Sequence, residues 1–144
     1  MVKLCDSKSS AIYWVNLFTY RCKNCGKTFE IMFPNDQYLA KFREINGDEM
    51  RWMPTYGKGG VVDLMTKLIP KFSINDEITT AISKQFIVEL NKYCEQGKTG
   101  NGFEYCHMRE ECEKCRSTDV MLVKEKVLTN PELSWLKISC ALLE

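Results

Sequence analysis

The chain has 144 residues, 44% of them hydrophobic and 27% charged, with a formal net charge of +1. That length supports one domain with a real core, and the composition is that of a folded globular chain rather than a disordered one. A pI near 7.5 gives no global field to recruit nucleic acid or an anionic membrane, so such binding would need a local patch.

Residues 1–8 lack an apolar core long enough for a signal peptide. The longest apolar-rich stretch, residues 11–20, is interrupted by Asn16 and Thr19 and is too short to span a bilayer. The expectation is a cytoplasmic, reduced protein with no membrane partner. Residues 11–20 are rich in β-branched and aromatic side chains and read as a strand. It runs straight into Cys22-Lys23-Asn24-Cys25-Gly26. After that motif, residues 27–33 alternate polar and apolar and stop at Pro34, like the return strand of a hairpin.

From Asn35 the pattern changes. Residues 35–45 read as a helix closed by Asn46-Gly47, and residues 51–60, with Pro54 and three glycines, read as a loop. Residues 61–69 predict a short helix ending before Pro70. The strongest helix is expected over 76–96, with Ser73 or Asn75 as cap, Asp76 and Glu77 at its positive end and Gly97 at its exit. Ile78, Ile82, Phe86, Leu90 and Tyr93 would form its apolar stripe. Residues 97–102 are a second loop, and 109–119 a polar run carrying Cys112-Glu113-Lys114-Cys115. Residues 120–127 read as a strand. Asn130-Pro131 resembles a helix start, although Leu136, Ile138, Cys140 and Leu142 alternate as in a strand; the reading leans to helix.

The two Cys-x-x-Cys pairs together offer the four thiolates that tetrahedral zinc prefers, and 86 residues separate them. Such a site would staple distant parts of the chain and leave no open position for a substrate water. Arg21, Lys23, Lys27, Lys114 and Arg116 would offset part of its negative charge. The same four cysteines could instead hold iron for electron transfer, or Cys22 and Cys25 could do thiol–disulfide chemistry, or none of them could bind anything. A strand-like segment after Cys25 withholds the helix dipole that lowers a redox thiol's pKa. Cys106-His107 is the one plausible ligand substitute. Cys94 and Cys140 read as buried, inert thiols, and the absence of an export signal argues against a disulfide framework.

Phe18-Thr19-Tyr20-Arg21-Cys22-Lys23-Asn24-Cys25-Gly26-Lys27-Thr28-Phe29-Glu30 resembles the opening of small bacterial zinc ribbons of the FmdB type, whose knuckle is shared by rubredoxin-like folds. The resemblance implies a Cys₄ site with Cys22 and Cys25 as first ligands and Cys112 and Cys115 as the second pair. Two departures stand out: the long insertion, and Arg116 where the family has Gly, which sets a less relaxed turn.

The expected fold is α+β: a zinc ribbon with a small antiparallel sheet and an inserted helical segment of three or so helices. One domain would cover 1–144, with ribbon halves 11–34 and 106–127, a helical insertion over 35–105 and a C-terminal segment over 130–144. The expected function is a non-enzymatic zinc-binding interaction or regulatory module. The alternatives are a redox or electron-transfer protein using the same cysteines, and a nucleic-acid-binding zinc ribbon. One histidine, and Glu110, Glu111 and Glu113 as a solvated acidic turn, leave little for catalysis. Mixed charge near the knuckles favours a protein partner over nucleic acid. The Arg51–Gly60 segment, with Trp52 and Tyr56, reads either as a stacking loop or as a loop whose Trp plugs the core.

Overall fold

Residues 2–8, 11–107 and 109–144 are described in a computed structural model. Along them run strands β1 (Leu4–Asp6), β2 (Trp14–Cys22), β3 (Thr28–Pro34), β4 (Leu39–Glu44) and β5 (Met50–Pro54). Helices α1 (Val61–Leu68) and α2 (Thr80–Leu90) follow, then β6 (Phe103–Tyr105), β7 (Val120–Thr129) and β8 (Lys137–Ser139). The fold is mixed α+β with antiparallel sheets, as expected, but it carries two helices among the described residues rather than three, and the inserted helical segment is small. The chain divides into two compact units. One is Ile12–Asp36 with His107–Glu132; the other is Met1–Ala11, Gln37–Cys106 and Leu133–Glu144.

In the smaller unit the sheet order is β3-β2-β7. The β-branched and aromatic residues that predict β2 sit in register with β3 from Val15↔Pro34 to Arg21↔Thr28. On its other side β2 pairs with β7, with a bulge between Thr19 and Tyr20. Period-two alternation puts Phe18, Tyr20 and Cys22 on one face, opposite Phe29 and Ile31 of the neighbouring strand. Tyr20, Cys22, Phe29 and Cys112 form the buried centre, with Phe18, Ile31, Phe33 and Val120 packed round it. The sheet therefore ends in cysteine at its hydrophobic core.

The expected C-terminal helix is absent. Asn130 takes a left-handed φ of 49° and closes the unit instead: its N–H donates to the Tyr13 carbonyl, and its side chain accepts from the Tyr13 N–H, each at 2.9 Å. A short strand, β8, and a 3₁₀ turn over Cys140–Leu143 take the place of a helix.

The larger unit is built on the sheet β5-β4-β6. Residues 35–45, expected as a helix, form β4, because Asn46-Gly47 acts as the turn of a hairpin rather than a helix exit. Asn46 adopts φ 60°, the conformation such turns need and Asn tolerates. Residues 51–54, expected within a loop, belong to the return strand β5. Trp52 and Met53 are buried in it, so the Trp serves the core and only the tip, Tyr56 to Lys58, is exposed.

Helix α1 lies where 61–69 predicts it. Helix α2 is shorter than expected, because Thr79 provides the cap, accepting from the Ile82 N–H at 3.2 Å. Asp76 lies outside the helix, accepting from the Ser73 N–H at 2.8 Å. Phe86 and Leu90 of the predicted stripe are fully buried, while Ile78 and Tyr93 at its ends are exposed. With Phe42, Met53, Leu64, Met65, Phe103, Leu136 and Ile138 they make up this unit's core.

β1 pairs with β8, from Leu4↔Ser139 to Asp6↔Lys137. A disulfide joins Cys5 to Cys140, so Cys140 is not the inert thiol the sequence reading expects. No helix among the described residues is long and apolar enough to cross a membrane.

Candidate metal centre

Cys22 ends β2, and the chain reverses at once: the Cys22 N–H donates to the Lys27 carbonyl at 2.9 Å, and the Gly26 N–H to the Cys22 carbonyl at 2.8 Å. The second pair repeats the pattern atom for atom. The Cys112 N–H donates to the Ser117 carbonyl and the Arg116 N–H to the Cys112 carbonyl, both at 2.9 Å. Each turn points two thiols to one side, as the Cys-x-x-Cys spacing leads one to expect. β7 begins just after the second turn and pairs with β2, which brings the two turns together despite the intervening chain.

The four sulfurs lie within 4.8 Å of one another. Across the turns, Cys22 Sγ is 3.6 Å from Cys115 Sγ, and Cys25 Sγ is 3.6 Å from Cys112 Sγ. Four thiolates at the zinc–sulfur distance of about 2.3 Å on a tetrahedron would stand roughly 3.8 Å apart, so the set fits an ion of that size with little movement. Cys22 and Cys112 are buried, while Cys25 and Cys115 are exposed. The cluster has a sealed side and a wet side.

The thiols do not behave alike. The Asn24 side-chain amide, 3.6 Å from Cys115 Sγ, leads the groups that bring Cys115 down to about 6, followed by the Ser117 backbone N–H. Cys112 is lowered first by the Cys115 backbone N–H. At Cys25 the Lys27 backbone N–H acts downward, but desolvation and the three neighbouring thiols outweigh it and push the group up to about 11. Sulfurs packed this closely repel one another once ionised, and the charge of a cation is what would let all four hold thiolate form.

Beneath the cluster, Tyr20 and Phe29 stack with centroids 5.6 Å apart. Desolvation raises the Tyr20 phenol to about 12, helped by its hydrogen bond to Glu110. Around the cluster, Lys27 pairs with Glu113 at 3.1 Å, Arg116 with Glu111 at 3.2 Å and Lys23 with Asp119 at 4.0 Å. Three of the five cations expected to offset the sulfur charge, Lys23, Lys27 and Arg116, are therefore shared with carboxylates, and the tip is charge-mixed. The three glutamates of the acidic run serve as partners to Tyr20, Arg116 and Lys27.

Among the described residues, the metal-competent cluster holds Cys22, Cys25, Cys112 and Cys115, and neither Cys106 nor His107. Cys106 belongs to the larger unit, where its N–H donates to the Lys41 carbonyl at 2.9 Å. Cys94 is buried in that unit, and its thiol is raised to about 12 by burial and the Glu95 charge, in keeping with an inert core thiol. Sequence reasoning missed Asn24, although its place between two cysteines with an amide to donate was a readable signal.

The chain matches no protein-family model, no curated protein and no solved structure. The likeness to small bacterial zinc ribbons rests on the knuckle residues themselves.

Proposed function

We propose that Cys22, Cys25, Cys112 and Cys115 hold one Zn²⁺ as a structural Cys₄ site, and that the protein is a non-enzymatic interaction or regulatory module of zinc-ribbon type. The observation that carries this reading is the convergence of four sulfurs within 4.8 Å from two turns with the same hydrogen-bond pattern. A bound ion would cross-link the turn that follows β2 to the turn that precedes β7 and supply fixed positive charge, with no step of chemistry assigned to it. Four protein ligands close the coordination shell, which is why the proposal places no catalysis here.

Charge supports a protein partner over nucleic acid, because Lys23, Lys27 and Arg116 of the tip are paired with Asp119, Glu113 and Glu111. A cytoplasmic setting belongs to the proposal as well, and there the Cys5–Cys140 bond would be exposed to a reducing thiol pool. The test is the metal content and colour of the native protein. One equivalent of zinc and no visible absorption supports the reading; a coloured iron–thiolate protein would replace it with the electron-transfer alternative.

A further inference from the structure

We infer that the Cys5–Cys140 disulfide is a reducible clasp on the N-terminal strand, whose opening releases β1 and leaves one edge of β8 bare. The bond joins residues 135 apart in sequence, with Cα atoms 5.2 Å apart, and it is separate from the four-sulfur cluster. Both cysteines are partly exposed, so a small thiol can reach them.

β1 has little else to hold it. It is three residues long and pairs with β8 alone. Its one large apolar side chain, Leu4, is 39% exposed, so the strand buries only part of a single large apolar side chain. Beyond the ladder itself, the attachment among the described residues includes the Cys140 N–H to the Lys3 carbonyl and the Ser7 N–H to the Leu136 carbonyl, each at 3.0 Å, and the Ser7 hydroxyl to the Trp52 carbonyl at 3.3 Å. A two-stranded ladder of this size is marginal in water without a cross-link.

β8 is held from the other side. The Ser139 N–H donates to the Tyr93 carbonyl at 2.6 Å and the Glu95 N–H to the Lys137 carbonyl at 2.9 Å. Leu136 and Ile138 are fully buried in the core. Losing β1 therefore leaves β8 in place and exposes its backbone donors and acceptors as a free edge, the kind of surface that accepts an added strand. The change is local, and it does not depend on the cysteine cluster holding metal.

The chemistry is ordinary thiol–disulfide exchange. The thiolate of one low-molecular-weight thiol attacks a sulfur of the bridge and forms a mixed disulfide, releasing the other cysteine. A second thiolate then attacks the small molecule's sulfur in that mixed disulfide and releases the remaining cysteine as the leaving group. Two electrons and two protons pass to Cys5 and Cys140, and the reductant leaves as its own disulfide.

Residue-resolved amide hydrogen exchange tests the clasp, on protein purified without reductant, on the same protein equilibrated with reduced glutathione, and on Cys5→Ser. Exchange at Ser7 and Cys140 should rise at least tenfold in both the reduced and the substituted protein, while Phe42 and Leu64 keep their protection. Unchanged protection at Ser7 and Cys140 in both would overturn the proposal. So would loss of protection at Phe42 and Leu64 as well, which would make the bond a global staple, or two unpaired cysteines in the protein as purified.

Discussion

Gly26 and Arg116 occupy the same place in two turns: each donates its N–H to the carbonyl of the first cysteine four residues back, and each takes a left-handed φ, 78° and 64° respectively. Glycine holds that conformation freely, whereas a residue with a Cβ holds it at a steric cost of about 1–2 kcal/mol. The arginine also makes a surface ion pair with Glu111, worth less than about 1 kcal/mol. Comparing Arg116→Gly with Arg116→Ala removes the ion pair from both and isolates the backbone. The Gly variant should be more stable by about 1 kcal/mol in denaturant midpoint. Equal midpoints would mean the second turn is not strained by its side chain.

Asn91 joins the end of α2 to β6. Its amide donates to the Ile87 carbonyl at 2.9 Å and the Phe103 carbonyl at 2.8 Å, and its oxygen accepts from the Phe103 N–H at 2.9 Å. Phe103 is fully buried, so Asn91→Ala would strand both its N–H and its carbonyl. The expected loss is about 2–4 kcal/mol, seen as a lower melting temperature. A drop no larger than that of an exposed helix substitution would show that water replaces the amide.

Glu44 organises the loops around β4 and β6. The Thr99 N–H donates to its carboxylate at 2.8 Å, and that bond is the largest influence holding its pKa below the ordinary glutamate range. Burial opposes it, and the Glu49 N–H adds to it. A Cβ at Gly47 or Gly97 would collide with this carboxylate, which accounts for glycine at both. Because the folded pKa lies below the unfolded one, the contribution is complete above the unfolded value of about 4.3 and fades as pH falls through the folded value. Glu44→Gln should therefore lag the native protein most at neutral pH, and the gap should narrow in acid. A gap that is constant from neutral pH into acid would remove the carboxylate's charge from the account.

The elements that sequence made legible are those decided by short-range signals. β2 and β3 follow from their residue types and alternation, α1 from its bounds, and the cysteine pairs from a spacing whose turn geometry is local. What failed was decided by distant contacts or by one ambiguous dipeptide. Asn46-Gly47 ends a helix or turns a hairpin equally well, and the packing of Phe42 and Trp52 chose the hairpin. Asn130 looks like a cap until its pairing with Tyr13 is visible, across more than a hundred residues of chain. The Cys5–Cys140 bond, with its 135-residue separation, leaves no pattern in sequence at all. Asn24 was the readable exception.

The central claim is that two separated dithiol turns share one ion, and elemental analysis of the native protein beside three variants tests it most directly. Native protein and Cys94→Ser should each carry one zinc per chain, while Cys22→Ser and Cys112→Ser should lose it and melt markedly lower. Native protein without metal, or full zinc retention in Cys112→Ser, would contradict the account.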